Sequence, residues 1–318
     1  LRDILRFNQL ATQLAMDEAD EQLWMPLQDF LSEHRFNQAF QDWYLLPMLG
    51  CIWSCPTDQM LRFPVATMVR FCHNHGLIQV NDRPQWLTVK GGARNYVEKI
   101  LSGLGDTRLN TPVTRIERDD MGVWVHTLHG SERFDEVVLA THSDQALRLL
   151  AHPTREEQQL LGAISYHPNR AFLHTDASVM PARPKAWAAW NYERPADAHG
   201  DAAPRHVCLH YWLNRLQPLP FRDPVFVSLN PLRPIRPECV LQEIDYEHPV
   251  FDLRAIDAQK KMPTIQGQHR TWFAGAWMGY GFHEDGLRAG QAVVKLWMQR
   301  HQALPLRSEE HTSELQSH

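Results

Sequence analysis

The segment Gly279-Tyr280-Gly281-Phe282-His283-Glu284-Asp285-Gly286 follows the apolar run "TWFAGAWM" and opens a helical pattern. It carries three glycines, an acid/base histidine, a phenol and two carboxylates within eight residues. As a phosphate cradle it fails. The G-x-G-x-x-G pattern needs a small residue at position 284, where this chain has Glu284. Glu284 and Asp285 would also repel a pyrophosphate at the place where backbone amides should meet an anion. A helix N-terminus carries roughly half a positive charge. It suits an electron-rich carbonyl, or a ring that gains negative charge during reaction. The plainer reading, an ordinary strand-turn-helix with acids favourably placed in its first turn, stays open.

Other constellations are poorer. Cys72, His73 and His75 lie close together in "CHNH", but no second ligand pair of zinc spacing accompanies them, so no metal centre is expected. His283-Glu284 begins like H-E-x-x-H, yet Leu287 holds the fifth position. The adjacent residues of "THSD" cannot form a hydrolytic triad, and no G-x-S-x-G occurs. Trp187, Trp190, Tyr211 and Trp212 either line an apolar substrate cavity or pack in a core.

The elements that must position these groups change character along the chain. Residues 1–90 read as helices punctuated by Pro26, Pro47, Pro56 and Pro64. "WLTVKGGARNYVEKIL" predicts a short strand, a Gly91-Gly92 turn and a helix ending near Gly103. From Thr111 the period becomes two, and "TPVTRIER", "GVWVHTL" and "RFDEVVLA" predict a three-stranded meander. It leads through "THSD" into a helix capped by Ser143 or Asp144. In 151–270, "AFLHTD", "AWAAWNYE", "HVCLHYWLN" and "VFVSLNP" predict a second sheet with proline-rich connections. "RTWFAGAW" then gives a strand, and "EDGLRAGQAVVKLWMQR" a helix with Gly286 and Gly290 on one bare face.

With Lys+Arg 32 against Asp+Glu 37, the net charge of -5 and the lack of a basic run exclude nucleic acid as the main partner. The longest apolar runs, such as "EVVLA", suit buried strands and not a membrane span. Five unpatterned cysteines fit a reducing compartment, and the cytoplasm is the default.

Along nearly all of residues 1–300 the sequence resembles the flavin-dependent amine oxidase superfamily. "NTPVTRIERDDMGVWVHTLHGSERFDEVVLATHSDQAL" and "RTWFAGAWMGYGFHEDGLRAGQAVV" are similar to its second and last cofactor segments, in their usual order. "VKGGARNYVEKI" resembles the double-glycine segment before them. "LRFNQ", "IWSCP", "RFPVATMVRFCHNHGL", "RPQW", "HSDQAL" and "GFHEDGL" together resemble a bacterial group of FAD/NAD(P)-binding, amine-oxidase-like oxidoreductases.

The resemblance implies an α/β, two-lobed fold with FAD as cofactor and hydride transfer from a substrate C–H bond to the flavin. The first lobe is Rossmann-like and lacks its N-terminal βαβ unit; the other is a mixed-sheet substrate lobe. Val113 matches the valine that reads the adenine edge, and Gly275 and Ala276 match small residues near the ribityl-pyrophosphate region. Glu284, Asp285, Gly286 and Leu287 match the helix start whose amides face the flavin ring. His142, His283 and Tyr280 are the polar groups expected nearest that ring, with His283 and Tyr280 as catalytic candidates. Many relatives have an acid where this chain has Trp277, which removes a side-chain contact to the ribityl chain.

The domain expectation is 1–90 as the helical part of the substrate lobe, 91–150 as FAD lobe, 151–270 as substrate lobe and 271–303 as the closing FAD-binding strand-turn-helix. The family's G-x-G-x-x-G loop has no counterpart here; "SGLGDTR" continues into Thr107 and Arg108. The chain begins at Leu1, so a preceding segment is expected, and this fragment is expected to bind FAD poorly and to be inactive alone. The tail "RSEEHTSELQSH" from Arg307 resembles a translated sequencing adapter and is expected to be an artefact. A lipid or fatty acyl substrate, with peripheral membrane contact, is the further implication. The competing expectation is a non-catalytic protein that keeps the fold to hold a lipid or partner.

Overall fold

The computed structural model describes residues 1–17, 21–79, 81, 83–194 and 207–302; the adapter-like tail falls outside them. Proline sets the rhythm of the first ninety residues. After α1 (Arg2–Met16), helices α2 (Leu27–Glu33), α5 (Thr57–Met60) and α6 (Val65–Asn74) each start directly behind a proline N-cap, at Pro26, Pro56 and Pro64. The ring's fixed φ prepares a helix entry, and its missing N–H is one the first turn would leave unpaired anyway. Between them, α3 (Gln38–Phe40) runs through a π-turn at Gln41–Leu45 into α4 (Leu46–Trp53). These helices close over an aromatic core of Phe7, Phe30, Phe36, Phe40, Trp53, Phe63 and Phe71, joined by Phe251 from much later in the chain. Each such ring contributes roughly 1.5–3 kcal/mol by burial.

The predicted strand before the double glycine does not form. Residues 83–89 are irregular and exposed, and the turn leads straight into α7 (Arg94–Leu101), none of whose residues is buried. The meander is β1 (Val113–Asp119), β2 (Gly122–Thr127) and β3 (Gly130–Phe134). Its expected third strand is two strands. The chain leaves the meander after Phe134, and β4 (Val137–Leu139) pairs in parallel with β10 (Thr271–Phe273). The bend at Asp135-Glu136 carries the break, and the apolar "VVL" joins a different sheet. Next come α8 (Ser143–Leu149), entered from His142 one residue earlier than expected, and α9 (Arg155–Leu161). His142 N–H donates to Gln145 Oε1 at 3.3 Å.

The second sheet has the order β6-β7-β8-β5-β9, all antiparallel, from β5 (Tyr166–His174), β6 (Trp190–Glu193), β7 (Cys208–Trp212), β8 (Phe226–Leu229) and β9 (Val240–Pro249). A short α10 (Leu213–Leu216) follows β7. The unforeseen β9 is the longest strand; its charged sequence "LQEIDYEHP" hides the alternation because most of it is exposed. After α11 (Leu253–Lys261) and β10, the chain ends its described part in α12 (His283–Gln302), which starts one residue before Glu284. No helix among the described residues is long and apolar enough to cross a membrane, and all five cysteines are free.

One polar contact ties the meander, α9 and β10 together. The Arg118 guanidinium on β1 grips both carboxylate oxygens of Glu157 at 2.5 and 3.0 Å, with side chains 7% and 2% exposed. It also donates to His152 O and to Thr271 Oγ1 on β10. Glu157 completes a capping box with Thr154 at the start of α9. Burial raises the Glu157 carboxyl pKa, but Arg118 and the Thr154 amide outweigh it and hold the group below its usual range. Glu157→Gln should destabilise the protein by about 3–5 kcal/mol at neutral pH, since it leaves a buried guanidinium without its charge partner. A depressed folded pKa means stability present above the unfolded value of about 4.3 and lost as pH falls through the lower folded value. Urea unfolding from pH 7 downward should therefore show an acid-side loss that is shallower in Glu157→Gln; parallel curves would refute this role.

Candidate functional site

The sequence-predicted groups gather where β4 and β10 end, the carboxyl edge at which open parallel sheets place their ligands. Ala274 N–H donates to Leu139 O at 3.0 Å, extending the parallel pair by one bond. The chain then makes a tight 3₁₀ turn at Ala276–Met278. Trp277 turns inward: it is 3% exposed, sits in the core with Leu139, Ala255 and Phe273, and donates Nε1–H to Thr141 O at 3.0 Å. A side chain at Gly275 would meet this indole at 2.4 Å. Glycine there makes room for Trp277. Gln259 Nε2 fastens the turn from α11 by donating to Trp277 O and Gly279 O at 2.7 and 2.9 Å.

Gly281 adopts φ 94°, a left-handed conformation that strains any other residue, and its N–H reaches back to Ala276 O at 3.1 Å. This folds the chain so that α12 starts beside Ala276. Both first-turn carboxylates are engaged locally. Asp285 accepts from Phe282 N–H at 3.0 Å and packs so tightly on Gly279 that a Cβ there would lie 2.3 Å from its Oδ1. Glu284 points outward and pairs with Arg288 at 2.9 Å. Asp285 and Gly286 N–H donate to Phe282 O at 3.0 and 3.1 Å, which leaves the His283 and Glu284 amides at the positive end of a helix of twenty residues.

Tyr280 and His283 flank this turn in opposite directions. Tyr280 packs edge-on against Phe71 in the helical core, and its carbonyl accepts from Trp53 Nε1 at 3.2 Å. Burial pushes its hydroxyl pKa up, opposed by Arg70 and reinforced by Asp285. His283 is exposed and meets Tyr96 of α7, with Nδ1 2.7 Å from the phenol oxygen. Tyr96 gave no signal in the sequence, because it becomes meaningful only through a partner 187 residues away.

Gly275, Ala276, Glu284, Asp285, Gly286 and Leu287 thus share one turn and helix start. Val113 lies apart from them. It opens β1 and lines, with Val125, Val137, Leu139 and Thr141, a cavity of about 550 Å³. Thr141 links the two regions through Trp277. His142 stacks on Tyr166 at 4.3 Å, while Ser143 N–H donates to the Tyr166 hydroxyl, whose pKa burial raises to about 12. The four aromatics of the second sheet pack on one another: Trp187 on Trp212 at 5.3 Å and Trp190 on Tyr211 at 6.1 Å.

The flavin end of FAD fits the residues present. A Cβ added to Gly286 would find only Ala276 atoms, at 3.8 Å or beyond, and one on Gly290 would find nothing within 4 Å. The helix flank that they open is an open apolar face of α12 that includes Leu287 and Val294. Gly286, Leu287, Ala276 and the α12 amides would hold the ring end, and Val113 the adenine. Among the described residues no strand-turn-helix carries the G-x-G-x-x-G pattern that would cradle the pyrophosphate.

No curated protein matches the sequence. Solved structures share the fold at low identity. The CLA-producing fatty acid isomerase from P. acnes is 16% identical, with 87% of this chain and 67% of that chain covered and a TM-score of 0.56. Cyclohexylamine oxidase from Brevibacterium oxydans IH-35A is 12% identical over 95% and 76% of the two chains, with a TM-score of 0.60. A redesigned putrescine oxidase is 16% identical over 94% and 74%, with a TM-score of 0.62. The family described as flavin containing amine oxidoreductase matches residues 12–215. With most of its length inside that match, the chain belongs to the flavin-containing amine oxidoreductases, a family of FAD-dependent oxidoreductases.

Proposed function

We propose that this chain serves hydride transfer from a substrate C–H bond to FAD, and that the substrate carries an apolar acyl chain. The observation that carries the reading is the state of the α12 N-terminus. Its two carboxylates, which would spoil an electron-rich ligand site, are taken up by Phe282 N–H and by Arg288. What remains facing outward is the positive helix end beside backbone without a Cβ at Gly286. Gly275, Ala276, Glu284, Asp285, Gly286, Leu287 and Val113 are the cofactor-contacting positions in this proposal. In this reading His283 moves a proton at the substrate, and its hydrogen bond to Tyr96 supports that role. Tyr280, held by Trp53 and Phe71, orients the turn that presents it. The fatty acid isomerase among the structural neighbours supports an acyl substrate, and such a substrate would bring the protein to membrane surfaces without a spanning helix.

A second reading has one observation in its favour. Trp277 is committed to the core, so the position where many relatives present an acid contributes nothing to the cofactor here. A protein that keeps the fold and only binds a lipid would tolerate that.

Anaerobic spectroscopy on the chain within its native polypeptide, supplied with FAD, decides between them. Bleaching of the visible flavin band by an unsaturated fatty acid is the expected result. Bleaching by primary amines alone would sink the acyl assignment, and lipid binding without bleaching by any substrate would hand the case to the binding protein. His283→Gln should lower the reduction rate roughly 10²- to 10⁴-fold with the oxidised flavin spectrum unchanged. An unaltered rate would reduce His283 to a surface residue.

A further inference from the structure

The second sheet contains a buried polar cluster that the flavin chemistry does not use. Cys208 and His210 alternate on β7, so both side chains lie on one face, and Glu193 sits directly across from Cys208 on the edge strand β6. Cys208 and His210 are almost fully buried, at 1% and 2% exposed. Three donor atoms converge there. Cys208 Sγ lies 3.6 Å from His210 Nε2 and 3.8 Å from Glu193 Oε2, and His210 Nε2 lies 3.0 Å from Glu193 Oε2. All three fall within 4.8 Å of one another. Tetrahedral zinc with bonds of about 2.0–2.3 Å needs its ligands roughly 3.3–3.6 Å apart. The observed triangle differs from that by only a few tenths of an ångström.

The surroundings suit an ion as well. Glu193 gives its other oxygen, Oε1, to Arg233 at 3.1 Å, which steadies the carboxylate and leaves Oε2 free to turn inward. Burial pushes the Cys208 thiol up to about 12 against a Leu232 amide that faces the sulfur, so the thiol keeps its proton until an ion displaces it. His210 Nδ1 is 2.6 Å from Ser228 Oγ, itself 2.7 Å from His174 Nε2, and both residues are fully buried. A metal-bound histidine is normally oriented by such a bond from its second nitrogen.

We infer that Glu193, Cys208 and His210 form a binding site for one thiophilic divalent cation, Zn²⁺ being the ion its sulfur, nitrogen and oxygen donors suit, which clamps the β6 edge to β7. The donor set is that of zinc and not of a hard cation. Three protein ligands leave a fourth position for water. The proton accounting is explicit. Without metal, Asp176 N–H donates to His174 Nδ1, so His174 carries its hydrogen on Nε2 and donates to Ser228. The serine hydroxyl then donates to His210 Nδ1, and His210 Nε2–H to Glu193. Binding moves the His210 hydrogen to Nδ1, turns the Ser228 hydroxyl hydrogen away so that its oxygen accepts from both His174 and His210, and expels the Cys208 thiol proton. One proton leaves per ion bound.

The test is cobalt titration of tag-free, chelator-treated protein. Expected is a 1:1 sulfur-to-cobalt charge-transfer band with tetrahedral d–d absorption, displaced by Zn²⁺. It should vanish in Cys208→Ser and persist in Cys239→Ser. Should the first variant fail to fold by circular dichroism, His210→Gln is read in its place and should also abolish the band. Ser228→Ala should weaken cobalt binding roughly 10- to 100-fold. Zn²⁺ should switch His210 from the Nε2–H to the Nδ1–H tautomer in ¹⁵N-histidine spectra. The absence of a band in the parent protein, or a band that survives both ligand variants, overturns the site.

Discussion

The buried pair of Arg118 and Glu157 is the interaction on which the arrangement of the meander, α9 and β10 rests. One guanidinium reaches a meander strand, a helix cap, the His152 carbonyl and Thr271 at the start of β10. A guanidinium can do this because its donors form a rigid planar fork, whereas an ammonium offers a single point. Burying the pair brings little net stability compared with an apolar replacement. What it secures is register: β10 is only three residues long, too short to define its own position against β4, and everything downstream of it is aimed by that position.

From that fixed strand the site follows by close steric steps. Trp277 fills the space under the turn and makes glycine necessary at 275; Asp285 does the same for Gly279; the left-handed Gly281 turns the chain into α12. Of these three glycines, two are therefore required by neighbouring side chains and the third by its backbone conformation. The glycines that leave ground open are Gly286 and Gly290, inside the helix. The two groups differ in kind, since one accommodates the protein's own side chains and the other leaves space for something else.

Much of this was readable from the residues. Prolines punctuated the helical stretch, three of the four standing directly before a helix and Pro47 inside α4; the period-two stretch marked the meander, and the acidic pair Glu284-Asp285 marked a helix N-terminus that no pyrophosphate would choose. What could not be read had a common physical cause, namely dependence on a partner remote in sequence. "RFDEVVLA" looks like one strand because its apolar pattern is continuous, yet its two halves answer to different sheets. β9 is invisible because an exposed, charged strand has no alternation to show. Trp277 reads as a missing cofactor ligand until its indole is seen to satisfy Thr141. Cys208 and His210 show only a C-x-H spacing, which means little until Glu193 arrives across the strand pair.

The parallel pairing of β4 with β10 has a temporal consequence. Leu139 has to wait for Phe273, which leaves the ribosome only after the whole second sheet has been made. At about 5–20 residues per second, roughly 130 intervening residues correspond to a delay of some 7–26 s. During that interval the backbone edge of β4 and the apolar faces of Val137 and Val138 are without their partner strand. Pairing so distant in sequence also forms slowly once both strands exist. The turn that carries His283 thus takes its shape only after β10 has paired with β4.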